Sequence, residues 1–346
     1  MQRKDIQERQ KILVGNAIDQ WKRQVENKVV VVTGGARGIG KTLVENLLKS
    51  GAKVVAADIN WNSSQDFKKH LEGTEEAMSV QMDIADDASL DAAYESVMEK
   101  FGTVDVLINN AALVSETLFF PRGQVKTLDT KDSDWEKMFS VNTFGVLKTI
   151  RRFIRPMLQK GSGSIINMVS SGILPMHQGG SLFSMRPWTV EMPYQASKAA
   201  TMAMTFYLAE EVRETGVAVN GMMPFHTRAS WFDATEKTWR DQGMVYFMRP
   251  SVAEHVVPAT LFLSGQDGHG VTGRLIYVPE WNYDHGFGDT KVWDDFSLPP
   301  EMEEMYSKLE AALPKYERSG VSHLPFDAWA ALWTAGMEKL AGKGEK

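Results

Sequence analysis

The stretch VVVVTGGARGIG, residues 29–40, decides the fold. Its first half, Val29 to Thr33, is a β-branched run with no polar alternation. Such a run suits a strand covered on both faces, as in parallel sheets. Its second half turns on glycine. Gly34, Gly38 and Gly40 leave the strand and open a helix over 38–50, where Leu43, Val44 and Leu47 recur at helical spacing. Strand, glycine-rich turn and helix, in that order, make a place for a phosphate group. Backbone amides can approach it without a Cβ in the way, and the helix start carries partial positive charge. The spacing is G-x-x-x-G-x-G rather than the G-x-G-x-x-G of the general dinucleotide fingerprint. A tight turn with no ligand is the plain alternative, and the residues downstream argue against it.

Outward from this stretch the chain alternates. Lys53 to Ala57 reads as a second strand ending at Asp58, and strand-like stretches recur at 78–82, 104–108, 164–169, 216–220 and 274–278, with helical stretches between them. Ser133 with Glu136, and Ser251 with Glu254, have the spacing of capping boxes. The alternation predicts an α/β fold, a doubly wound parallel sheet (a Rossmann fold), as a single catalytic domain with helical extensions at both ends. The divisions are 1–27, a polar amphipathic arm with Ile6, Leu13, Ile18 and Trp21 as apolar contacts; 28–286, the dinucleotide-binding and catalytic body; and 287–346, where Met302, Met305, Leu309 and Leu313 suggest one helix and Phe326, Trp329, Leu332, Trp333 and Met337 another.

Composition narrows the function. The formal net charge of −6 and the lack of a basic run argue against a nucleic-acid surface. The chain has no cysteine, which excludes disulfides, thiol nucleophiles and cysteine-ligated metals. His177 and His226 have no partners at ligand spacing, so no metal is expected. The opening MQRKDIQERQK is too charged for a signal-peptide core, and no apolar stretch is long enough to cross a bilayer. A cytoplasmic protein with no membrane partner is the expectation.

The chemistry-bearing residues come in a set. Asp58 lies at the distance from the glycine turn expected of an acid that accepts hydrogen bonds from an adenosine ribose. Its charge would repel a 2′-phosphate and so favours NAD over NADP. Arg37 in the turn is a competing signal, since a basic residue there could meet that phosphate. Tyr194 and Lys198 are four apart, hence on one helix face. Asn142 and Ser171 precede them.

With these residues quoted, the chain resembles the short-chain dehydrogenase/reductase family, in its compact branch, over residues 28–285. TGGARGIG at 33–40 looks like the family's cofactor turn, and Asp83-Ile84 like its adenine-contacting pair. NNAA at 109–112 is similar to its NNAG segment, and VNTFG places Asn142 at its catalytic asparagine. NMVSSG places Ser171, rather than Ser170, at the catalytic serine, and YQASK supplies Tyr194 and Lys198. VNGMMP, 219–224, resembles the segment beside the nicotinamide. The resemblance implies cofactor contacts from Gly34, Arg37, Gly38, Ile39, Gly40, Asp58, Ile59, Asp83, Ile84, Asn110, Ala111, Tyr194, Lys198, Pro224 and Thr227. It implies Tyr194 as acid or base, Lys198 as the cation that eases its ionisation, Ser171 as a donor to the substrate oxygen, and Asn142 as holder of a relay water. It also implies a homo-oligomer, dimer or tetramer.

The departures lie around the substrate. The segments 113–131 and 173–193 are long, the family's Pro-Gly is Pro224-Phe225, its threonine clamp falls at Ala229, and Pro279, Glu280, Trp281 and Asn282 replace its terminal acidic-glycine signature. Met176, Phe183, Trp188, Phe225 and Trp231 are the substrate-side candidates, with the lid's own core as their plain alternative. The resulting expectation is an NAD-dependent oxidoreductase interconverting a secondary alcohol and a ketone on an apolar, ring-containing small molecule. The alternatives are an NADPH-dependent carbonyl reductase and a non-catalytic dinucleotide-sensing or scaffold protein.

Overall fold

The computed structural model describes residues 3–119, 127–173, 192–229, 232 and 249–312. Its centre is a sheet of seven parallel strands: β1 (Val29–Thr33), β2 (Lys53–Asp58), β3 (Ala77–Gln81), β4 (Val106–Asn109), β5 (Gly163–Met168), β6 (Val217–Met223) and β7 (Leu275–Tyr277), in the order β3-β2-β1-β4-β5-β6-β7. Neighbouring β1 and β4 leave in opposite directions, so their carboxyl ends flank the crevice where such sheets take ligands. All five residues of β1 are buried. Val30 and Val32 face one apolar layer, Val29 and Val31 the other. An unalternating β-branched run is what a strand covered on both faces requires.

The helices are α1 (Arg3–Val25), α2 (Gly38–Lys49), α3 (Gln65–Glu72), α4 (Asp87–Phe101), α5 (Ser115–Leu118), α6 (Asp132–Phe139), α7 (Val146–Lys160), α8 (Met192–Glu211), α9 (Val257–Ser264), α10 (Val278–Asp284) and α11 (Pro300–Ala312). The layer on Val30 takes its side chains from α1, α2 and α9. The opposite layer takes them from α4, α7 and α8. Between α6 and α7, residues Ser140–Gly145 widen into a π-helical turn, and Asn142 lies inside it. Such turns often mark functional sites.

The amino-terminal arm docks on its own chain. Ile6, Leu13, Val14, Ala17, Trp21 and Val25 are buried at helical spacing, and Ile18 packs at the edge of the same layer. Trp21 stands in an aromatic group, its ring centroid 6.0 Å from Phe262, 5.7 Å from Trp281 and 5.3 Å from Phe287. Phe262 belongs to α9 and Trp281 to α10, so the segment that replaces the acidic-glycine signature is the arm's receptor. Met302 is buried on α11, as its spacing suggested; the second helix expected near 326–337 lies outside the described residues.

Neither capping box forms. α6 starts at Asp132, and Asp134 reaches back to accept the Lys131 amide at 3.0 Å. The turn Ala253–Val256 has no side-chain cap: backbone bridges hold Ser251 to Thr227 and Asp294, and the cap position falls one residue later at Val252, whose side chain has no acceptor. No helix among the described residues is long and apolar enough to cross a membrane.

Trp21→Ala removes the hub of the aromatic group and should cost about 3 kcal/mol or more of unfolding free energy in urea, as for other buried large-to-small changes. A cost under about 1 kcal/mol would mean that the arm is not part of the core.

Candidate active site

A cleft of about 650 Å³ opens at the carboxyl ends of the strands. One wall is the glycine turn. Gly34 and Gly38 have positive φ of 67° and 55°, open to glycine without strain. A Cβ on Gly40 would stand 1.9 Å from the Gly34 carbonyl, so this position lets the helix close onto the turn. Gly40 itself does not line the cleft, whereas Gly34, Arg37, Gly38 and Ile39 do. No side chain caps α2. Its amino end, with Gly38 and Ile39 at the cleft wall, offers donors and partial positive charge to an anion. A Cβ on Gly38 would meet only Ala229, at 3.7–4.0 Å, so bare backbone borders open space there. These features fit a dinucleotide.

The turn is held from behind. Asn110 donates through Nδ2 to the carbonyls of Thr33, at 2.9 Å, and Gly34, at 3.2 Å. Thr33 Oγ1 accepts the amides of Asn110 and Ala111 at 3.0 and 2.9 Å. Asp58 is buried, its carboxylate accepting the Ala36 amide at 3.1 Å and the Asn60 amide at 3.0 Å, and it borders the cleft with Ile59. Asp83 borders the cleft too, accepting the Ala85 amide at 2.8 Å. Ile84 turns away into the core against Gly145, so the neighbours at the wall are Met82 and Ala85.

Across the cleft lie Tyr194 and Lys198 of α8. Lys198 is buried, and its Nζ donates to the Met168 carbonyl, the last of β5, at 2.7 Å. The same Nζ lies 5.8 Å from the centre of the Tyr194 ring. Burial pulls the Lys198 ammonium down from its ordinary 10.5 to about 8. It therefore stays mostly protonated at neutral pH. Its charge beside Tyr194 favours phenolate.

Asn142 sits behind the wall, fully buried. Its Oδ1 accepts the Leu113 amide at 2.8 Å and its Nδ2 donates to the Leu113 carbonyl at 2.9 Å. This clamp fixes the segment 110–114, all of which lines the cleft. The Asn142 carbonyl accepts from Thr201 Oγ1 at 2.9 Å, one turn after Lys198 on α8. Ser171 starts a short 3-10 turn, Ser171–Ile173, just after β5; it is half-buried and lies beside the cleft rather than in its wall.

Pro224 and Ala229 complete the cleft. Thr227, between them, donates its hydroxyl to the Phe225 carbonyl at 2.7 Å and is buried away from the opening. Phe225 packs on Val169, Met223 and Tyr277 instead of lining the cleft. Met176, Phe183, Trp188 and Trp231 lie outside the described residues.

Two supports have no signature in the sequence. One is Met168, which acts through its carbonyl, so its side chain carries no signal. The other is His255. Its Nε2 accepts the Phe225 amide at 3.1 Å while Nδ1 faces the Val252 carbonyl at 2.7 Å, which makes it a neutral imidazole protonated on Nδ1.

The family model of the short chain dehydrogenases matches residues 28–240. The chain belongs to that family. As a member it is an oxidoreductase, on a fold that takes a nicotinamide dinucleotide. Among its relatives is the fluoren-9-ol dehydrogenase of Terrabacter sp. strain DBF63, 62% identical over 335 residues, spanning 97% of this chain and 94% of that protein. The 3-oxoacyl-(acyl-carrier-protein) reductase of Escherichia coli strain K12 is 28% identical over 258 residues, spanning 73% of this chain and 96% of that one. The crystal structure of a 3-ketoacyl-(acyl-carrier-protein) reductase from Brucella melitensis complexed with NADH superposes with a TM-score of 0.60 at 24% identity, over 73% of this chain and 97% of that one. At that identity the likeness shows the fold alone.

Burial pulls His255 down from 6.5 to about 4. The unfolded chain takes up the proton near 6.5, the folded one only near 4, so stability is lost as pH falls through that window. The loss approaches about 3 kcal/mol at its lower end. Urea unfolding of wild type and His255→Gln at pH 7 and pH 4.5 should show the wild type losing more; equal losses would contradict the neutral buried imidazole.

Proposed function

We propose that this chain is an NAD-dependent dehydrogenase interconverting a secondary alcohol and a ketone on an apolar, ring-containing small molecule. The observation that carries the reading is that one cleft joins the uncapped start of α2, the Asp58 carboxylate and the Tyr194–Lys198 pair. The name of the fluoren-9-ol dehydrogenase, similar over 97% of this chain, supports the substrate class: its alcohol is secondary and fused to rings. The apolar wall of Leu113, Val114, Val141 and Val169 supports it too.

The nicotinamide supplies a hydride acceptor for oxidation and a donor for reduction. Tyr194 takes the hydroxyl proton in oxidation and returns it in reduction. An unperturbed phenol, near ~10, is a poor base at neutrality; lowering it by about three units needs roughly 4 kcal/mol. Lys198 provides part of that, because it is a cation in a desolvated site. Ser171, in the short turn after β5, donates to the substrate oxygen as charge develops. Asn142 keeps the water-relay role in this reading, its carbonyl accepting from Thr201 one turn beyond Lys198. Its side chain positions residues 110–114 through Leu113.

NAD is preferred over NADP in this reading. Asp58 is buried at the cleft wall and held by two amides, so it cannot swing aside for a 2′-phosphate. Arg37 lines the same cleft but offers no charge excess once Asp58 is counted. A cytoplasmic homo-oligomer completes the reading, supported by Phe206 and Tyr207, 39% and 81% exposed on α8.

Calorimetry with NAD and NADP, and turnover of Tyr194→Phe, test this. Wild type should bind NAD at least tenfold more tightly. Tyr194→Phe should keep that affinity and lose about a thousandfold or more in turnover, as expected for a general acid-base group. Equal or stronger NADP binding would overturn the role of Asp58; undiminished turnover would overturn that of Tyr194.

A further inference from the structure

The loop after β6 supplies Pro224 and Ala229 to the cleft, yet it is held from outside the family-matched segment. The Arg228 amide donates to the Ser251 carbonyl at 2.9 Å and the Ser251 amide to the His226 carbonyl at 2.7 Å. On its other side, the stretch 250–252 pairs with 293–295: the Val252 amide donates to the Trp293 carbonyl and the Asp295 amide to the Pro250 carbonyl, both at 2.8 Å. Three short segments thus form a patch that starts at the cleft edge and ends in the carboxyl-terminal extension. Two side chains reinforce it. Arg228 pairs with Asp295 at 3.2 Å, and the other Asp295 oxygen accepts the Ser297 amide at 2.8 Å. From the far end, Gln10 of α1 donates through Nε2 to the carbonyls of Val292, at 2.8 Å, and Asp294, at 3.0 Å. Gln10 and Asp295 are both buried.

We infer that the two extensions position the cleft's β6 loop, with Gln10 and Asp295 as positioning residues for the dinucleotide bound there. The inference rests on the reading of the cleft as a dinucleotide site. Gln10 places a buried amide on two carbonyls of the segment that pairs with residues 250–252, and so ties α1 to the patch. Asp295 locks Arg228, which lies between the loop's two cleft-lining residues. Neither touches the cleft, so each acts through the patch. A loop whose far anchors are loosened samples other arrangements, and the fraction competent to bind falls with it.

The test uses the full chain. Gln10→Ala, Asp295→Ala and the double variant are compared with wild type in NAD affinity by calorimetry, in kcat and KM for NAD, and in thermal midpoint. Each single variant should raise Kd and KM about fivefold, the worth of one net hydrogen bond. It should change kcat less than twofold. The double variant should fall short of the product of the two, because both act on one patch. A lowered midpoint with unchanged Kd and KM would overturn the inference, leaving a structural role only. Should Asp295→Ala fail to fold, Gln10→Ala, which removes no charge, decides alone. Wild type that binds no dinucleotide overturns the cofactor reading and this inference together; wild type that binds, with variants matching it, overturns this inference alone.

Discussion

A lysine amine buried at the end of a strand is the constraint on which the site depends. Desolvating the Lys198 ammonium is costly, and the structure answers it with the free carbonyl of Met168. That carbonyl is available because β5 ends there and the chain turns away into Ser171–Ile173. The bond joins α8 to the sheet at the edge where the cleft opens. Buried polar pairs hold the rest of the helix in the same register. Asn109 donates to Asn167 at 2.8 Å, Asn167 to Thr205 at 2.9 Å, and Thr201 to the Asn142 carbonyl at 2.9 Å. Such pairs are costly to leave half-made, so the helix has one seat on the sheet, and Tyr194 one place relative to the glycine turn.

The other half of the cleft is built by exclusion rather than by attraction. Gly40 permits the approach of α2 to Gly34, and Asn110 stitches the turn to the strand beside it. The helix start is thereby left bare at the cleft wall. The two halves meet because β1 and β4 are neighbours whose crossovers run to opposite sides. The topology therefore places the bare start of α2 and the helix that carries Tyr194 and Lys198 across one opening.

Much of this was legible in the sequence, for identifiable reasons. Val29–Val32 announces a strand buried on both faces because burial there is uniform. Gly34, Gly38, Tyr194 and Lys198 are legible because local spacing sets their geometry. What long-range packing decides was not. Nothing in the spacing of α1 says that Trp21 finds Phe262, Trp281 and Phe287 on its own chain. The expected boxes at Ser133 and Ser251 failed because a nearer acid, Asp134, and a tertiary bridge took the cap positions. Ile84 follows a cleft residue yet turns into the core against Gly145, and Thr227, between Pro224 and Ala229, is buried with its hydroxyl on the Phe225 carbonyl; both placements are set by tertiary contacts. His255 is thirty residues from the amide it supports, beyond the reach of any local pattern.

The most direct test of the account is the initial rate of cofactor reduction by the purified protein with fluoren-9-ol, measured with NAD and then with NADP. The account predicts oxidation of the alcohol, faster with NAD, and its loss when Lys198 is replaced by methionine, which keeps the unbranched stem to within one atom and removes the charge. Binding of NAD without oxidation of fluoren-9-ol or any other ring-bearing secondary alcohol, or full activity in Lys198→Met, would contradict it.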